Sequence, residues 1–246
     1  MESINTIVGY NNLVIYQNDD WFKFSLESVL LPSFVVINKN MDKILDLCSG
    51  NAPIPILLST KTKKKIIGVE IQKDLCDLAN KSIKANHLEN QIEIINEDLN
   101  NLFNLYESDC FDIITCNPPY FKNIEDSKKN EDIHKIIARH EVKTNIEQII
   151  KLSKKLLKNG GKLYLVHRTD RFFEITNLLM DNNLMPKRIR LIYPKEGEES
   201  NLFMIEATKN GSYGLKFESP LYVHNNDGSY KDEIKRIFKM EWWLWN

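Results

Sequence analysis

The stretch Asn117-Pro118-Pro119-Tyr120 follows a run of strand-forming residues, 111–116, and its side chains suit chemistry on an amino group. The amide oxygen of Asn117 and the carbonyl of Pro118 can each accept one N–H, which holds the nitrogen with its lone pair aimed at an electrophile. The prolines fix the loop, and the Tyr120 ring offers a face on which an unstacked base can lie. The structural alternative is a strand that stops at a turn.

Acidic residues end three other predicted strands, at Asp46, Glu70 and Asp98. The two oxygens of Glu70 suit the two hydroxyls of a ribose, because a carboxylate accepts several hydrogen bonds. Asp98 could receive an adenine amino group, and Asp46 could hold a methionine end through water or backbone. Each acid taken singly could equally cap the helix that follows it. Their occurrence in order, one at each strand end, favours a nucleoside site.

The loop after the first of these strands is poor in glycine. A phosphate-binding dinucleotide loop needs several glycines so that the backbone can approach a pyrophosphate, and here only Gly50 is present, with Ala52 and Pro53 beyond it. This composition disfavours a nicotinamide dehydrogenase. A nucleoside ligand without phosphates, such as S-adenosylmethionine, tolerates the same tight turn.

The element order from Lys43 onward predicts a parallel α/β sheet, because strand patterns alternate with helix patterns. In such a sheet ligands bind beyond the carboxyl ends of the strands, where the polar residues above would meet. The predicted strands are residues 43–50, 64–70, 91–98, 111–117, 162–167, 186–194 and 202–209. The predicted helices are residues 53–60, 74–86, 146–157 and 168–183, and the "KNGG" sequence at 158–161 is expected to stop the third of them.

Size and composition favour a single domain over residues 1–246. The chain is 42% hydrophobic and 27% charged, which allows a sizeable core. We expect an N-terminal segment to about residue 40, a catalytic core over about 41–210 and a C-terminal extension over about 211–246. Neither a membrane span nor a basic leader followed by an apolar core is found, so a cytoplasmic protein is expected.

The cysteines and the charge indicate neither a metal nor a nucleic-acid partner. The four cysteines form no CxxC or Cys/His cluster, so we predict reduced thiols and no metal. The net charge of −1 gives no global attraction for phosphates. Basic clusters at 61–65, 151–158 and 187–190 are interpreted first as solvated faces and second as an RNA surface.

Several motifs together resemble one known family. "DLCSGNAPIP", "GVEIQ", "NEDL" and "CNPPYF" are similar to the class I S-adenosylmethionine-dependent methyltransferases. The match extends to the tRNA1(Val) (adenine(37)-N6)-methyltransferases through "FKFSLESVLLPSF" near the N-terminus and "ARHEV" after the catalytic loop. The resemblance covers most of the chain and thins after about Gly211. It implies a Rossmann-like fold with a seven-stranded, mostly parallel sheet and helices on both faces.

The resemblance also implies the site residues. The catalytic loop would be Asn117, Pro118, Pro119 and Tyr120. The S-adenosylmethionine pocket would be formed by Phe24, Glu27, Asp46, Cys48, Gly50, Asn51, Glu70, Ile71, Asp98, Leu99 and Asn117. Two positions depart from the family pattern, because Ala52 stands where glycine is common and Glu27 where aspartate is common. Glu27 could equally be a first-turn helix acid favoured by the helix dipole.

The implied activity is methyl transfer to the N6 amino group of an adenine in tRNA, adenine-37 of a valine tRNA, by a monomer. The loop itself specifies only a planar amino nitrogen. Guanine N2 or adenine N6 in rRNA and a protein glutamine side chain therefore stay open as substrates. A non-enzymatic RNA-binding module is the alternative from another class, and the polar residues at four strand ends disfavour it.

Overall fold

The computed structural model describes residues 2–6, 13–18, 25–119 and 145–239. The predicted site residues Phe24 and Tyr120 and the "ARHEV" segment lie outside these ranges. None of the helices within the described ranges is long and apolar enough to cross a membrane.

Eleven strands and seven α-helices are described, numbered here in chain order. The strands are β1 Glu2–Thr6, β2 Val14–Asn18, β3 Lys43–Leu47, β4 Lys65–Glu70, β5 Ile92–Asn96, β6 Phe111–Cys116, β7 Leu157–Arg168, β8 Leu184–Lys195, β9 Leu202–Lys209, β10 Lys216–Phe217 and β11 Leu221–His224. The α-helices are α1 Leu26–Phe34, α2 Pro53–Leu58, α3 Lys73–Ala85, α4 Leu102–Leu105, α5 Ile146–Leu156, α6 Phe172–Asp181 and α7 Asp232–Phe238. Short 3-10 turns occupy Leu99–Asn101 and Thr169–Arg171.

Nine of the strands form one sheet in the order β10-β8-β9-β7-β6-β3-β4-β5, with β11 also pairing with β8. Strand β9 runs antiparallel to both of its neighbours, and the other pairings in this sheet are parallel. The predicted mostly parallel, seven-stranded sheet is therefore confirmed, and the short strands β10 and β11 are added at its edge. The chain proceeds from β3 to β4 and β5 on one side and then to β6 on the other, so the strand order reverses between β3 and β6.

Hydrophobic cores cover both faces of the sheet, because its central strands carry apolar residues on both sides. One core joins Ile44 of β3 to helices α1, α2 and α3, and the other joins Leu45 and Leu47 to α5 and α6. Helix α5 begins with a capping box in which the Asn145 side chain accepts from the backbone of Gln148 and the Gln148 side chain accepts in return. The helices on both faces match the predicted architecture.

The helix stop predicted at 158–161 is confirmed. Helix α5 ends just before this segment, at Leu156, and "KNGG" then lies near the start of strand β7. The pairing with β6 shifts between Phe111, which lies opposite Leu157, and Ile113, which lies opposite Lys162. The extra residues of β7 between these two pairs lie in an irregularity of the ladder. The chain therefore passes from the end of helix α5 directly into the sheet.

An N-terminal pair of strands was not predicted. Strands β1 and β2 form an antiparallel two-stranded sheet, and β2 packs beside helix α3. Strand β1 alternates between exposed and half-buried residues, so its sequence carries too little apolar patterning to reveal a strand. The domain boundaries expected from the sequence stay predictions.

The two arginines of the basic cluster at 187–190 do not form a solvated face. Arg188 donates to Glu206 and Glu218, at 2.7 Å each, and to the carbonyl of Phe34 at 2.6 Å. Arg190 is 8% exposed and pairs with Glu233 at 2.5 Å. The solvated-face interpretation is therefore wrong for these two residues, because their guanidinium groups join α1, the segment after β10 and helix α7 to the sheet.

Candidate active site

The carboxyl ends of four parallel strands meet at one edge of the sheet. Leu47 pairs with Val69 on one side and with Cys116 on the other, and Glu70 pairs with Asn96. The residues that follow β3, β4, β5 and β6 are therefore neighbours. This edge includes the strand-order reversal, which is where open α/β sheets bind their ligands.

The loop after β3 alternates in and out of the left-handed backbone region. Cys48, Gly50 and Ala52 have φ values of 58°, 54° and 69°. Ala52 is fully buried and packs in the core shared by α1 and α2. Glycine adopts this left-handed conformation without a steric cost, whereas alanine does not. Ala52, which stands where the family commonly has glycine, therefore adds backbone strain to the loop.

Asp46 is fully buried and ties this loop to β6. Its two carboxylate oxygens accept from the Ser49 hydroxyl at 2.7 Å and from the Thr115 hydroxyl at 2.6 Å. Burial raises the pKa of Asp46 to about 7, against the lowering effect of these two hydrogen bonds. The carboxylate is thus occupied within the protein, which makes Asp46 a residue that positions the loop.

Glu70 lies at the end of β4 and holds the same loop from the other side. Its Oε2 accepts from the backbone N–H of Gly50 and its Oε1 from that of Gln72, both at 2.9 Å. Burial raises the pKa of Glu70, and the backbone donors oppose the rise. Each carboxylate oxygen has more than one lone pair, so these bonds leave acceptor capacity for a ligand hydroxyl.

The two buried carboxylates suit a cationic nucleoside. Asp46 and Glu70 both have raised pKa values, and the charge of Glu70 contributes to the rise at Asp46. A positive charge near them favours their ionised forms. S-adenosylmethionine carries a sulfonium, an ammonium group and two ribose hydroxyls, so the residues at this edge fit the predicted cofactor.

The end of β5 contributes a more open wall. Asp98 is half-buried and caps the 3-10 turn by accepting from the Asn100 backbone at 2.9 Å, as its structural alternative predicted. Leu99 is buried behind it. Asn96 donates to the carbonyl of Ile71 at 2.9 Å, which fixes the chain after Glu70. The structure thus brings Ile71, Asp98 and Leu99 to the predicted edge.

Asn117 and the prolines continue directly from β6, beside the loop after β3. Asn117 is half-buried, Pro118 is buried and Pro119 is exposed. The Asn117 Nδ2 donates to the Ser28 Oγ of helix α1 at 3.1 Å. Glu27 lies half-buried in the first turn of the same helix. Helix α1 therefore lies beside the predicted catalytic loop.

Sequence reasoning missed four residues that shape this edge. Ser49 and Thr115 hold Asp46, and Ser28 contacts Asn117. A Cβ added at Gly68 would meet the Ser49 Oγ at 2.6 Å, so this glycine lets β4 lie close to the loop. Thr115 could have been found from strand register, because it lies directly opposite Asp46 in the parallel pairing of β3 and β6.

No disulfide joins the four cysteines, all of which lie in described parts of the chain. Within the described ranges, no group of three or more His, Cys, Asp or Glu side chains could hold a metal ion. The absence of a metal stays a prediction for the whole protein.

Comparison with known proteins gives a consistent picture. A family model described as methyltransferase small domain matches residues 27–184. Two curated relatives are each named tRNA1(Val) (adenine(37)-N6)-methyltransferase. The one from Bacteroides thetaiotaomicron is 24% identical over 95% of both chains. The one from Phocaeicola vulgatus is 26% identical over 96% of this chain and 84% of the relative.

A solved structure shares the fold. A predicted O-methyltransferase from Agrobacterium tumefaciens superposes with a TM-score of 0.69 at 19% identity, covering 86% of this chain and 94% of the other. At this identity the likeness concerns the fold alone.

Proposed function

Because the chain belongs to the methyltransferase small domain family, we propose that it methylates the N6 amino group of an adenine in tRNA, adenine-37 of a valine tRNA. The methyl donor is S-adenosylmethionine, which supplies an electrophilic methyl group on a sulfonium. Two curated relatives match this chain over most of its length, and their names support the tRNA substrate. Such a substrate implies a cytoplasmic location, and we propose that the enzyme acts as a monomer.

The observation that carries the proposal is the pairing of Leu47 with Cys116. It sets Asn117 beside Cys48, at the point where the loop after β3 meets the loop after β6. An amino-group clamp and a cofactor loop must be adjacent if a methyl group is to pass between their ligands.

In the proposed mechanism Asn117 and Pro118 hold the amino nitrogen. The nitrogen lone pair of an adenine amino group is delocalised into the ring, so the attack is helped by two acceptors that fix both N–H bonds. Asn117 Oδ1 and the carbonyl of Pro118 are the proposed acceptors. The nitrogen loses one proton after transfer and needs no strong base, since the N-methylated cation is acidic.

The remaining residues bind and orient. Glu70 would accept the ribose hydroxyls, and Asp98 would face the adenine of the cofactor. Asp46 would hold the loop through Ser49, the geometry of which is given above. Cys48, Gly50, Asn51, Ile71 and Leu99 would line the pocket.

The test uses a valine tRNA transcript and a matched transcript in which adenine-37 is replaced by guanine. We expect label from S-adenosylmethionine in the first transcript only, with nuclease digestion and mass spectrometry locating N6-methyladenine at position 37. Two other acceptors, an rRNA fragment and a peptide with a glutamine side chain, are tested in parallel. Methylation of either in preference to the tRNA, or of the guanine-37 transcript, would overturn the substrate assignment.

A further inference from the structure

Strand β2 carries the chain from the far end of helix α3 toward the cofactor edge. Near its start, the Asn86 side chain accepts from the backbone of Val14 at 3.0 Å and donates back to its carbonyl at 2.7 Å. Further along, the backbone N–H of Tyr16 donates to Ser82 Oγ at 2.9 Å. Helix α3 begins just after Glu70, so a strand that passes Asn86 and then Ser82 is running toward the site.

The strand is then joined to the cofactor loop. The Asn51 side chain is 5% exposed, and its Nδ2 donates to the carbonyl of Tyr16 at 2.9 Å. Asn51 directly follows Gly50, whose N–H is bound by Glu70. Because the Tyr16 carbonyl contacts the loop directly, the next residue of the strand also lies close to the loop.

That residue is Gln17, and its amide is buried without a partner for its oxygen. Gln17 is 5% exposed, and strand alternation sets it on the same face as the fully buried Ile15. Its Oε1 has no hydrogen-bond partner within the described part of the chain. Buried polar atoms are paired in most cases, because an unpaired acceptor loses its hydration without compensation. An acceptor left in this state beside a ligand loop indicates that a ligand supplies the donor.

We propose that Gln17 is a cofactor-binding residue whose Oε1 accepts a hydrogen bond from the ammonium group of S-adenosylmethionine. The ribose hydroxyls are assigned to Glu70 and the adenine amino group to Asp98, on other strands. The loop reached through Asn51 is the one that Asp46 positions, so the amino acid end of the cofactor is the part left without an assigned hydrogen-bond partner. An ammonium has three N–H donors, and a bond from a charged donor is stronger than one between neutral groups. The inference rests on the cofactor part of the proposed function and is independent of the RNA substrate.

The experiment measures ligand binding to the free protein by calorimetry. Two ligands are compared: S-adenosylhomocysteine, which has the amino acid end, and 5′-methylthioadenosine, which has the ribose and adenine without it. For Gln17→Met, which keeps the length and removes the acceptor, we expect affinity for S-adenosylhomocysteine to fall at least about tenfold. Affinity for 5′-methylthioadenosine should stay unchanged.

A second readout separates binding from structure. Removing an unpaired buried acceptor should leave the melting temperature of the ligand-free protein unchanged or raise it. The control is Gln91→Met, because the Gln91 side chain donates to the carbonyls of Thr62 and Lys64, at the opposite end of β4. We expect this control to lower the melting temperature and to leave both affinities unchanged.

Other outcomes would overturn the inference. Unchanged affinity of Gln17→Met for S-adenosylhomocysteine excludes the contact, and an equal loss for both ligands excludes the ammonium as the donor. If Gln17→Met is unfolded, Gln17→Glu retains an acceptor and should keep the affinity within about threefold; a larger loss in that variant also counts against the contact. If the wild-type protein binds neither ligand, the cofactor assignment itself fails, which is a separate result.

Discussion

The side chain of Asn117 donates from its Nδ2 to the hydroxyl oxygen of Ser28, 3.1 Å away. Ser28 lies on helix α1 and is 5% exposed, whereas Asn117 follows the end of β6. The bond fixes which end of the Asn117 amide faces the helix, and the amide oxygen then lies at the other end. Helix α1 thus orients the group that we propose to hold the substrate nitrogen.

Replacing Ser28 tests this orienting role. In Ser28→Ala the Asn117 amide loses its buried partner, so we expect single-turnover methylation to slow by about tenfold, which corresponds to one hydrogen bond. Cofactor affinity should stay unchanged. Ser28→Cys keeps a side chain of similar volume but offers a weaker acceptor, so its methylation rate should lie between those of wild type and Ser28→Ala. The measurement is the methylation rate at saturating RNA and cofactor, beside calorimetry.

The matched control is Ser33→Ala on the same helix, because Ser33 donates to the carbonyl of Leu30 and has no described contact with the site. We expect a near wild-type rate. If Ser28→Ala also keeps the wild-type rate, or if Ser33→Ala slows the reaction equally, Ser28 has no specific effect on Asn117.

Asn117 itself should be needed for turnover and dispensable for folding. We expect Asn117→Ala to lose on the order of a hundredfold or more in rate, as when a preorganised polar contact is removed from an active site. The melting temperature and the cofactor affinity should barely move. Single-turnover methylation beside thermal denaturation checks this. A folded, cofactor-bound Asn117→Ala protein with a near wild-type rate would exclude the clamp.

The fold was largely predictable because its signals are local. Central strands such as β3 and β6 are buried on both faces, so they appear as short continuous apolar runs, and the helices between them show one apolar side. The parallel arrangement then follows from their alternation. Polar residues at strand ends could be grouped into a site, because the carboxyl ends of parallel strands share an edge.

The unpredicted features depend on tertiary contacts. Ser28 and Asn117 are far apart in sequence, and only the docking of α1 brings them together. Ala52 was recognised as a departure, but its φ of 69° is a property of the folded loop. Gln17 gave no signal in a strand that was not predicted. The roles of Arg188 and Arg190 were misjudged, because a basic cluster reveals charge and not its partners.

Glu70 should be required for cofactor binding. We expect Glu70→Ala to weaken S-adenosylmethionine binding at least tenfold, by roughly 1.4 kcal/mol or more, since it removes the proposed ribose acceptor. It also leaves the N–H groups of Gly50 and Gln72 without their acceptor, so stability should fall as well. Calorimetry is therefore done at a temperature where the variant is folded.

Glu93→Ala, which changes an exposed acid of β5 that pairs with Lys65, is the control. Equal affinities in both variants would remove Glu70 from the pocket.

Asp46 should make stability depend on pH. Its pKa is raised to about 7 in the folded protein from an ordinary value of 3.8, so between these values the folded state binds more protons than the unfolded state. The free energy of unfolding then falls as pH rises through this window, by up to ~1.4 kcal/mol per pH unit. Asp46→Asn cannot ionise. Its stability relative to wild type should therefore rise from pH 4 to 7 and stay level above, as measured by urea unfolding. A constant difference across this range would contradict the raised pKa.

Arg188 should be a stability determinant and not a tRNA contact. Its guanidinium bonds Glu206, Glu218 and the carbonyl of Phe34, and the Glu206 side chain is 5% exposed. Arg188→Ala leaves a buried carboxylate with Lys162 as its remaining ion-pair partner among the described residues, so we expect a loss of about 3 kcal/mol in the free energy of unfolding. The neighbouring Lys187, whose amine bonds the exposed carbonyl of Ser212, is the control, and Lys187→Ala should cost less than about 1 kcal/mol.

In folded Arg188→Ala protein the dependence of tRNA affinity on salt should equal that of wild type, because a phosphate contact would change the slope by about one unit. A flattened slope with unchanged stability would reverse the assignment and return Arg188 to the RNA surface.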